Sequence, residues 1–226
     1  MKISIIIPVI NESALLEHSI QSAWQSGADE VVVVDGGSSD DSMEIAENCN
    51  CHLVVSEPGR AVQMNAGAAR SEGDVVLFLH ADNQLATGAC DQIRSLNERL
   101  QWGGFKQKIA HPHPGYRLLE FGNYLRARFR RMLYGDQGLF FNRAVFENTG
   151  GFPEEPFLED LIISDRLKAR NVRPAILRGP LRIDARRWEK QGLMRQTRLN
   201  WSIIRDYRSG LSPTELSFRY RRHDKQ

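Results

Sequence analysis

Several acidic and basic side chains stand just beyond short apolar runs, where a ligand could meet them. Asp82 follows Val75–Leu79 in VVLFLHADN. A carboxylate past a buried strand can hold a divalent cation that bridges two phosphates. Mg²⁺ and Mn²⁺ favour oxygen ligands and keep several waters, so one or two carboxylates suffice. The alternative for Asp82 is a cap on the next turn, and His80 either ligates or packs. Asp35, in VVVVDGGSSDDS, can accept hydrogen bonds from a ribose or a base. Gly36 and Gly37 let backbone approach such a ligand closely, although a plain turn uses the same residues. Arg60 opens GRAVQMNAGAA, where a cation beside a helix N-terminus can meet a phosphate or simply face solvent.

A second group lies later in the chain. Glu159 and Asp160 are neighbours in FLEDLIISDRLKAR. Adjacent helical side chains do not face each other, so one can line a site while the other caps the helix or binds an arginine. Asp136 sits between glycines in YGDQG and either touches a sugar or forms a turn. Arg186, Arg187 and Trp188 form a compact cation–aromatic group. Arginine can clamp a diphosphate with two parallel bonds and tryptophan can pack a ring; a basic surface turn with a core tryptophan is the alternative.

The elements that must position these groups alternate. Ile3–Val9, Val31–Val34, Leu53–Val55 and Val75–Leu79 are short runs typical of strands buried on both faces. Between them lie helical patterns: Asn11 to about Ser26, capped by Asn11; Asp41–Asn48, capped by Ser38 or Ser39; Ala61–Ala69; and Thr87–Leu100. This alternation predicts an α/β fold with a mostly parallel sheet and right-handed crossovers. Ligands in such sheets sit beyond the carboxyl ends of the strands, which is where Asn11, Glu12, Asp35, Arg60 and Asp82 fall. After about residue 100 the rhythm changes. Trp102–Ile109 reads as a strand, Tyr116–Leu133 as an Arg-rich helix, Gly138–Asn142 as a strand and Pro156–Arg170 as holding a helix. Val172–Leu177 and Leu181–Ala185 read as short strands, and Glu189–Arg208 and Pro213–Tyr220 as helices. One continuous domain over 1–226 is expected: an α/β half (1–100), an α+β half (101–188) and C-terminal helices (189–226).

Charge is distributed unevenly. Residues 1–110 carry 7 Lys/Arg against 15 Asp/Glu, and residues 181–226 carry 12 against 5. An acidic half suits a cation site, and a basic half suits phosphates or an anionic surface. The three cysteines, Cys49, Cys51 and Cys90, supply neither a disulfide framework nor a four-ligand zinc site. No run approaches the ~20 apolar residues that span a bilayer, and MKISIIIPVINE lacks a signal-peptide pattern. A cytoplasmic location is expected; for the basic segment YLRARFRRML the alternatives are a solvated Arg face and peripheral contact with an anionic membrane. No nucleic-acid motif accompanies the basic residues.

Taken in order, IIIPVINE, VVVVDGGSSDDS, GRAVQMNAGAA, GDVVLFLHADN, GDQG, GGFPEEPFLEDLIISDRLK and RRW resemble family 2 glycosyltransferases of the GT-A fold, from about Ile3 to Trp188. More narrowly, GRAVQMNAGAA, FLHADN, GDQG and RRWEKQG look like a small bacterial subgroup named for arsenosugar biosynthesis. The resemblance implies a role for each matching position. Pro8, Asn11 and Glu12 would border the nucleotide, Asp35 would bind uracil or an equivalent base, and Arg60 and Asn65 would lie along the nucleotide. Asp82 would coordinate Mn²⁺ or Mg²⁺ holding the diphosphate of a UDP-sugar. Asp160 would be the general base. Asp136, Glu159 and Trp188 would meet donor or acceptor sugar, and Arg186 and Arg187 would close over the diphosphate.

Two departures from the family pattern matter. The D-x-D metal motif reads His80-Ala81-Asp82, without its first carboxylate. The Q-x-x-R-W of processive members reads Asp184-Ala185-Arg186-Arg187-Trp188, without its glutamine, which favours a single transfer. The expectation is an inverting, non-processive transfer from a nucleotide-diphosphate sugar to an acceptor hydroxyl, on a small-molecule or lipid-linked acceptor. A non-catalytic nucleotide-sugar-binding protein on the same fold is one alternative. A nucleotidyltransferase is another, although MKISIIIPVINES lacks a Gly-rich, Lys-bearing phosphate loop.

Overall fold

The apolar runs of the first half become parallel strands. A computed structural model describes residues 1–224, with the side chains of Arg187 and of residues 221–224 outside the described set. Strands β1 (Ile3–Val9), β2 (Glu30–Asp35), β3 (His52–Val55) and β4 (Val75–Phe78) pair in parallel, with Ile5 beside Val31 and Leu77, and Val33 beside Leu53. Helices α1 (Ser13–Gln25), α2 (Ser42–Asn48) and α3 (Arg60–Arg70) make the crossovers. Side chains alternate across a strand, so β1 feeds two cores. Ile3, Ile5 and Ile7 pack with Leu16 and Ile20 of α1, and Ile6 packs with Met64 and Ala68 of α3. α3 approaches the sheet at Gly67, where a Cβ would stand 2.5 Å from Ile6 Cγ2. That close approach explains the small residues of GRAVQMNAGAA.

The second half extends the same sheet. The strands are ordered β3-β2-β1-β4-β7-β6-β8-β5, with β5 Asn83–Leu85, β6 Trp102–Ile109, β7 Phe140–Asn142 and β8 Ala175–Ile183. β7 runs antiparallel to β4 and to β6, while β8 runs parallel to β6 and antiparallel to β5. The fold is therefore α/β with a mostly parallel, mixed sheet flanked by helices, as the alternation predicts. The remaining helices are α4 (Ala89–Arg94), α5 (Pro114–Leu125), α6 (Arg143–Thr149), α7 (Glu159–Ala169), α8 (Arg186–Gln191), α9 (Leu193–Arg208) and α10 (Pro213–Asp224).

Several sequence expectations need correction. Asn11 does not cap α1: it adopts φ +54°, and Glu12 precedes the helix. Neither Ser38 nor Ser39 caps α2, which begins after Asp41. The expected helix over Thr87–Leu100 breaks into α4 and a 3₁₀ turn, Asn97–Arg99, with Asn97 at φ +49°. The Arg-rich helix ends at Leu125 and continues only as a π-turn, Arg126–Arg130, before Arg131 turns at φ +55°. The two strands expected around Val172–Ala185 are one strand, β8. Its register passes from Phe105 beside Leu177 to Gln107 beside Leu181, so Gly179 and Pro180 are accommodated as a bulge rather than a break. Gly192 separates α8 from α9 within the helix expected from Glu189. No sequence expectation covers β5 or α6; three-residue strands and seven-residue helices carry little periodicity.

Candidate active site

The carboxyl ends of β1 and β4 open into a cleft of about 420 Å³. Pro8 reaches it from the end of β1, Glu12 from the β1–α1 connection, Arg60 and Gln63 from α3, and His80 and Asp82 from the segment after β4. The opposite wall comes from the second half: Tyr134 and Asp136, then Glu159 and Asp160 at the head of α7, then Arg186 and Trp188 of α8. Asn200, Ile203 and Ile204 of α9 and Tyr220 of α10 complete it. Asp82 and Asp160, 78 positions apart in sequence, thus line one cavity.

Two ion pairs set its electrostatics. Arg186 Nη2 donates to Glu12 Oε1 and Oε2 at 3.0 and 2.9 Å and lies 3.3 Å from Asp82 Oδ2. The guanidinium therefore joins the two halves of the chain across the mouth of the cleft. Those two carboxylates hold the charged form of Arg186 against partial burial, which alone would lower its pKa; the net shift is upward. Deeper in, Arg60 Nε lies 3.2 Å from Glu159 Oε1. Glu159 is 3% exposed, and burial pushes its carboxyl above the usual range although Arg60 opposes the shift. So of the adjacent pair, Glu159 is the one that binds an arginine.

Asp160 is oriented by backbone. Its Oδ2 accepts the Gly135 N–H at 2.7 Å and its Oδ1 accepts the Leu161 N–H at 2.6 Å. Leu158, just before α7, adopts φ +65°, a strained conformation for a branched side chain that sets the entry angle of the Glu159-Asp160 pair. Gly135 is required by contact: a Cβ there would stand 2.7 Å from His80 Nε2 and 3.5 Å from Asp160 Oδ2. His80, Gly135 and Asp160 therefore form one packed corner.

The remaining sequence candidates fall elsewhere. Asn65 does not line the cleft; its amide holds Phe152, donating to the carbonyl at 2.9 Å and accepting the N–H at 3.0 Å. Asn11 also lies outside it, with Oδ1 accepting the Ser39 N–H at 2.8 Å, so it ties the loop after β1 to the loop after β2. Asp35 is wholly buried and outside the lining. Its Oδ2 accepts from Gly37 and Ser38 N–H groups, while its buried Oδ1 has no partner. The side chain of Arg187 lies outside the described residues. Sequence reasoning missed Gln63, whose Nε2 donates to the Val9 and Val34 carbonyls at 2.8 Å and locks the carboxyl ends of β1 and β2 together. It also missed Asn83, 1% exposed and in the cleft wall, with both amide atoms unpartnered. Tyr134 Oη and Trp188 Nε1, also from the cleft wall, are buried without partners, and burial pushes the Tyr134 hydroxyl up to about 12. Unpartnered buried polar atoms are costly, and a polar ligand is one way to satisfy them.

No cluster of three or more His, Cys, Asp or Glu suited to a metal occurs among the described residues. The donor set therefore does not make a closed protein site. It does fit a hard cation that takes one carboxylate, Asp82, and draws its other oxygens from phosphates and water.

A mostly parallel sheet with a charged cleft at its carboxyl ends has the arrangement in which α/β proteins bind their ligands. The family described as Glycosyl transferase family 2 matches residues 4–142, more than half of the chain, and the chain belongs to that family. Among curated relatives, the glycosyltransferase AglJ of Haloferax volcanii is 29% identical over 169 residues, covering 72% of this chain and 54% of its own. The PGL/p-HBAD biosynthesis glycosyltransferase of Mycobacterium tuberculosis is 29% identical over 231 residues, covering 78% and 90%. Among solved structures, S. aureus TarS 1–349 in complex with UDP superposes with a TM-score of 0.64 at 21% identity, over 81% of this chain and 60% of that one. Glucosyl-3-phosphoglycerate synthase of M. tuberculosis, in complex with Mn²⁺, UDP and glucosyl-3-phosphoglycerate, gives 0.57 at 22% identity, over 81% and 70%. These structural likenesses establish the GT-A fold. The chain spans about half the length of AglJ.

Proposed function

We propose that this chain is an inverting, non-processive glycosyltransferase that moves a sugar from a nucleotide-diphosphate sugar to an acceptor hydroxyl. The observation that carries the reading is the convergence of Asp82 and Asp160 on one cleft at the carboxyl ends of β1 and β4. Family membership and neighbours solved with UDP support UDP as the carrier. The narrower likeness to the arsenosugar-associated subgroup rests on its sequence segments and is part of the proposal.

Asp82 would hold Mn²⁺ or Mg²⁺, which when bound offsets charge on the diphosphate. Arg186, already at Asp82, would meet the diphosphate from the α8 side. Pro8 and Glu12 would border the nucleotide, and Arg60 would lie along it. Asp35 is buried outside the cleft, so its unpartnered Oδ1 would meet a base only after the Gly36-Gly37 loop moves aside. Trp188, Asp136 and Glu159 would flank the sugars. Asp160, held by the Gly135 and Leu161 amides, would take the proton of the acceptor hydroxyl as that oxygen bonds to the anomeric carbon. The anomeric carbon's bond to the diphosphate oxygen breaks with its electron pair, and the nucleoside diphosphate departs from the opposite face. One displacement inverts the configuration. The missing first carboxylate of D-x-D is filled by His80, which packs against Gly135.

The test is a thermal-shift panel of nucleoside diphosphates and their sugars with and without Mn²⁺, followed by turnover assays. UDP and a UDP-sugar should stabilise the chain in a metal-dependent way. The absence of any shift at saturating nucleotide and metal would remove the reading. Binding without turnover on any acceptor or water would turn it into a binding protein.

A further inference from the structure

Large apolar side chains exposed on this chain are concentrated in its basic half. Among the described residues ten are exposed, and seven of them fall between Leu118 and Phe218. Two helices carry most of these. On α5 the inner face is fixed by Tyr116, which is buried, by Glu120, whose Oε1 accepts the Ile109 N–H at 2.6 Å, and by Asn123, which donates to Gln107. The outer face and the π-turn after it present Leu118, Phe121 and Phe129, exposed by 73, 57 and 74%. On α9 the inner face buries Gln196, Leu199 and Ile203, and the outer face presents Met194 and Trp201, two turns apart and 64 and 70% exposed.

Arginines interrupt both apolar stripes. Arg128 and Arg130 are exposed beside Phe129, and Arg195 and Arg198 are exposed between Met194 and Trp201. No exposed residue of 118–130 or of 194–205 is acidic. Arg130, Arg195 and Arg198 make no ion pair among the described residues, unlike Arg205 and Arg208, which face Asp206 and Asp165. The two helices start from one corner, since a Cβ on Gly115 would stand 2.7 Å from Leu193 Cδ2.

We infer that the outer faces of α5 and α9 dock on an anionic lipid bilayer. Apolar side chains with arginines and no acid bring unmatched positive charge, which a second copy of the same face would repel and which lipid phosphates and carboxylates satisfy. Trp and Phe beside arginine suit the headgroup boundary, where the ring enters and the cation stays at the surface. The chain would lie on the membrane and not cross it, because no helix among the described residues is long and apolar enough. α9 also lines the cleft with Asn200, Ile203 and Ile204, so docking sets the cleft beside the bilayer, where a lipid-linked acceptor presents its hydroxyl. That last step rests on the transferase reading, whereas the docking itself does not.

Co-sedimentation of the full chain with phosphatidylcholine vesicles, with and without about one-third phosphatidylserine, tests it. The chain should bind the anionic vesicles and not the neutral ones. Arg195→Gln with Arg198→Gln should weaken that binding about 30-fold, from roughly 1 kcal/mol per surface arginine. Phe121→Ser with Trp201→Ser should weaken it at least about tenfold. All four sites are exposed, and thermal melting checks that the variants fold. UDP affinity measured without vesicles should be unchanged in both, so a failure of the cleft reading shows separately. Equal binding to both vesicle types, no binding, or binding unaltered by the Phe121/Trp201 change overturns the inference. So does a concentration-dependent dimer that these substitutions dissolve, which would make a second copy the occupant.

Discussion

Arg186 Nη2 lies 3.3 Å from Asp82 Oδ2, joining α8 to the segment after β4 over 104 positions of sequence. The same nitrogen donates to both oxygens of Glu12. The side chain proposed to receive a divalent cation therefore already faces a cation supplied by the protein. A metal on Asp82 would repel the guanidinium, and a diphosphate would attract it. Asp82→Ala is expected to remove the Mn²⁺ dependence of UDP binding. Arg186→Gln is expected to weaken UDP at least about tenfold, the lower limit for loss of a charged hydrogen bond, while leaving the metal dependence in place. Titration calorimetry with and without Mn²⁺ distinguishes the two, and an unchanged Mn²⁺ response in Asp82→Ala would dismiss Asp82 as ligand.

Asp160→Asn preserves the shape of the side chain at the head of α7 and removes its basicity. Turnover should fall about 10²–10⁴-fold, the usual contribution of a positioned base. UDP affinity should stay within about twofold, since Asp160 is assigned to the acceptor side. Stopped assays across acceptors measure the first quantity and calorimetry the second. Turnover near wild type would reassign the base.

How much of this was legible in the sequence depends on the range of the interactions. The parallel strands could be read because Ile3–Val9 and Val31–Val34 are apolar on both faces, which only a covered sheet explains. Strand ends point to the cleft's polar wall at Glu12, Arg60 and Asp82, but the same rule also points to Asn11 and Asp35, which lie outside it. What sequence could not give was where each polar group spends its hydrogen bonds. Asn65 looks like a ligand contact and instead pins Phe152. Gln63, one helical position pair away, looks ordinary and ties β1 to β2. Arg186 joining Glu12 arises from tertiary closure over 174 positions, and no local pattern encodes that. Helix ends were misplaced where Asn11, Asn97 and Arg131 take positive φ, a choice made by surrounding contacts.

Gly135 supplies a sharper test of the packed corner. Its missing side chain admits the His80 ring, since a Cβ would approach Nε2 to 2.7 Å and Cε1 to 2.9 Å. Gly135→Ala must displace either the ring or the backbone N–H that Asp160 accepts. Turnover is expected to drop at least about tenfold, because small misplacement of a base is costly, with a stability loss of about 1–3 kcal/mol from overpacking. Urea unfolding and turnover measured on one preparation check both. Wild-type turnover would show that the corner does not position Asp160.

Asn83 separates stability from binding. Both amide atoms are buried without partners, so Asn83→Leu exchanges an unsatisfied polar group for an apolar one of similar size. Stability should be unchanged or rise by about 1 kcal/mol. If the amide meets the ligand, UDP-sugar binding or turnover should fall at the same time. A loss of stability would show that Asn83 is satisfied in solution, through water that bridges it to the cleft.

The Arg60–Glu159 pair gives a prediction with a pH sign. Burial raises the Glu159 carboxyl above its ordinary value of 4.5, and Arg60 works against that rise. A folded-state value above the unfolded one means a contribution to stability that is full below the ordinary carboxyl range and declines as pH rises through the folded value. Removing the cation lifts the folded value further and steepens the decline. Arg60→Met should therefore lose stability most at neutral pH, by about 1–3 kcal/mol, because the buried Glu159 carboxylate loses the half-exposed cation that pairs with it. The deficit should shrink as pH falls through the carboxyl range, where protonated Glu159 no longer needs a partner. Glu159→Gln should be nearly neutral in stability at pH 7, because Arg60, 45% exposed, keeps its water. Urea unfolding of both variants and the parent between about pH 4 and pH 7 measures the differences. A deficit in Arg60→Met that stays constant across that range would mean that Glu159 does not titrate against Arg60, and the pair would be packing rather than charge.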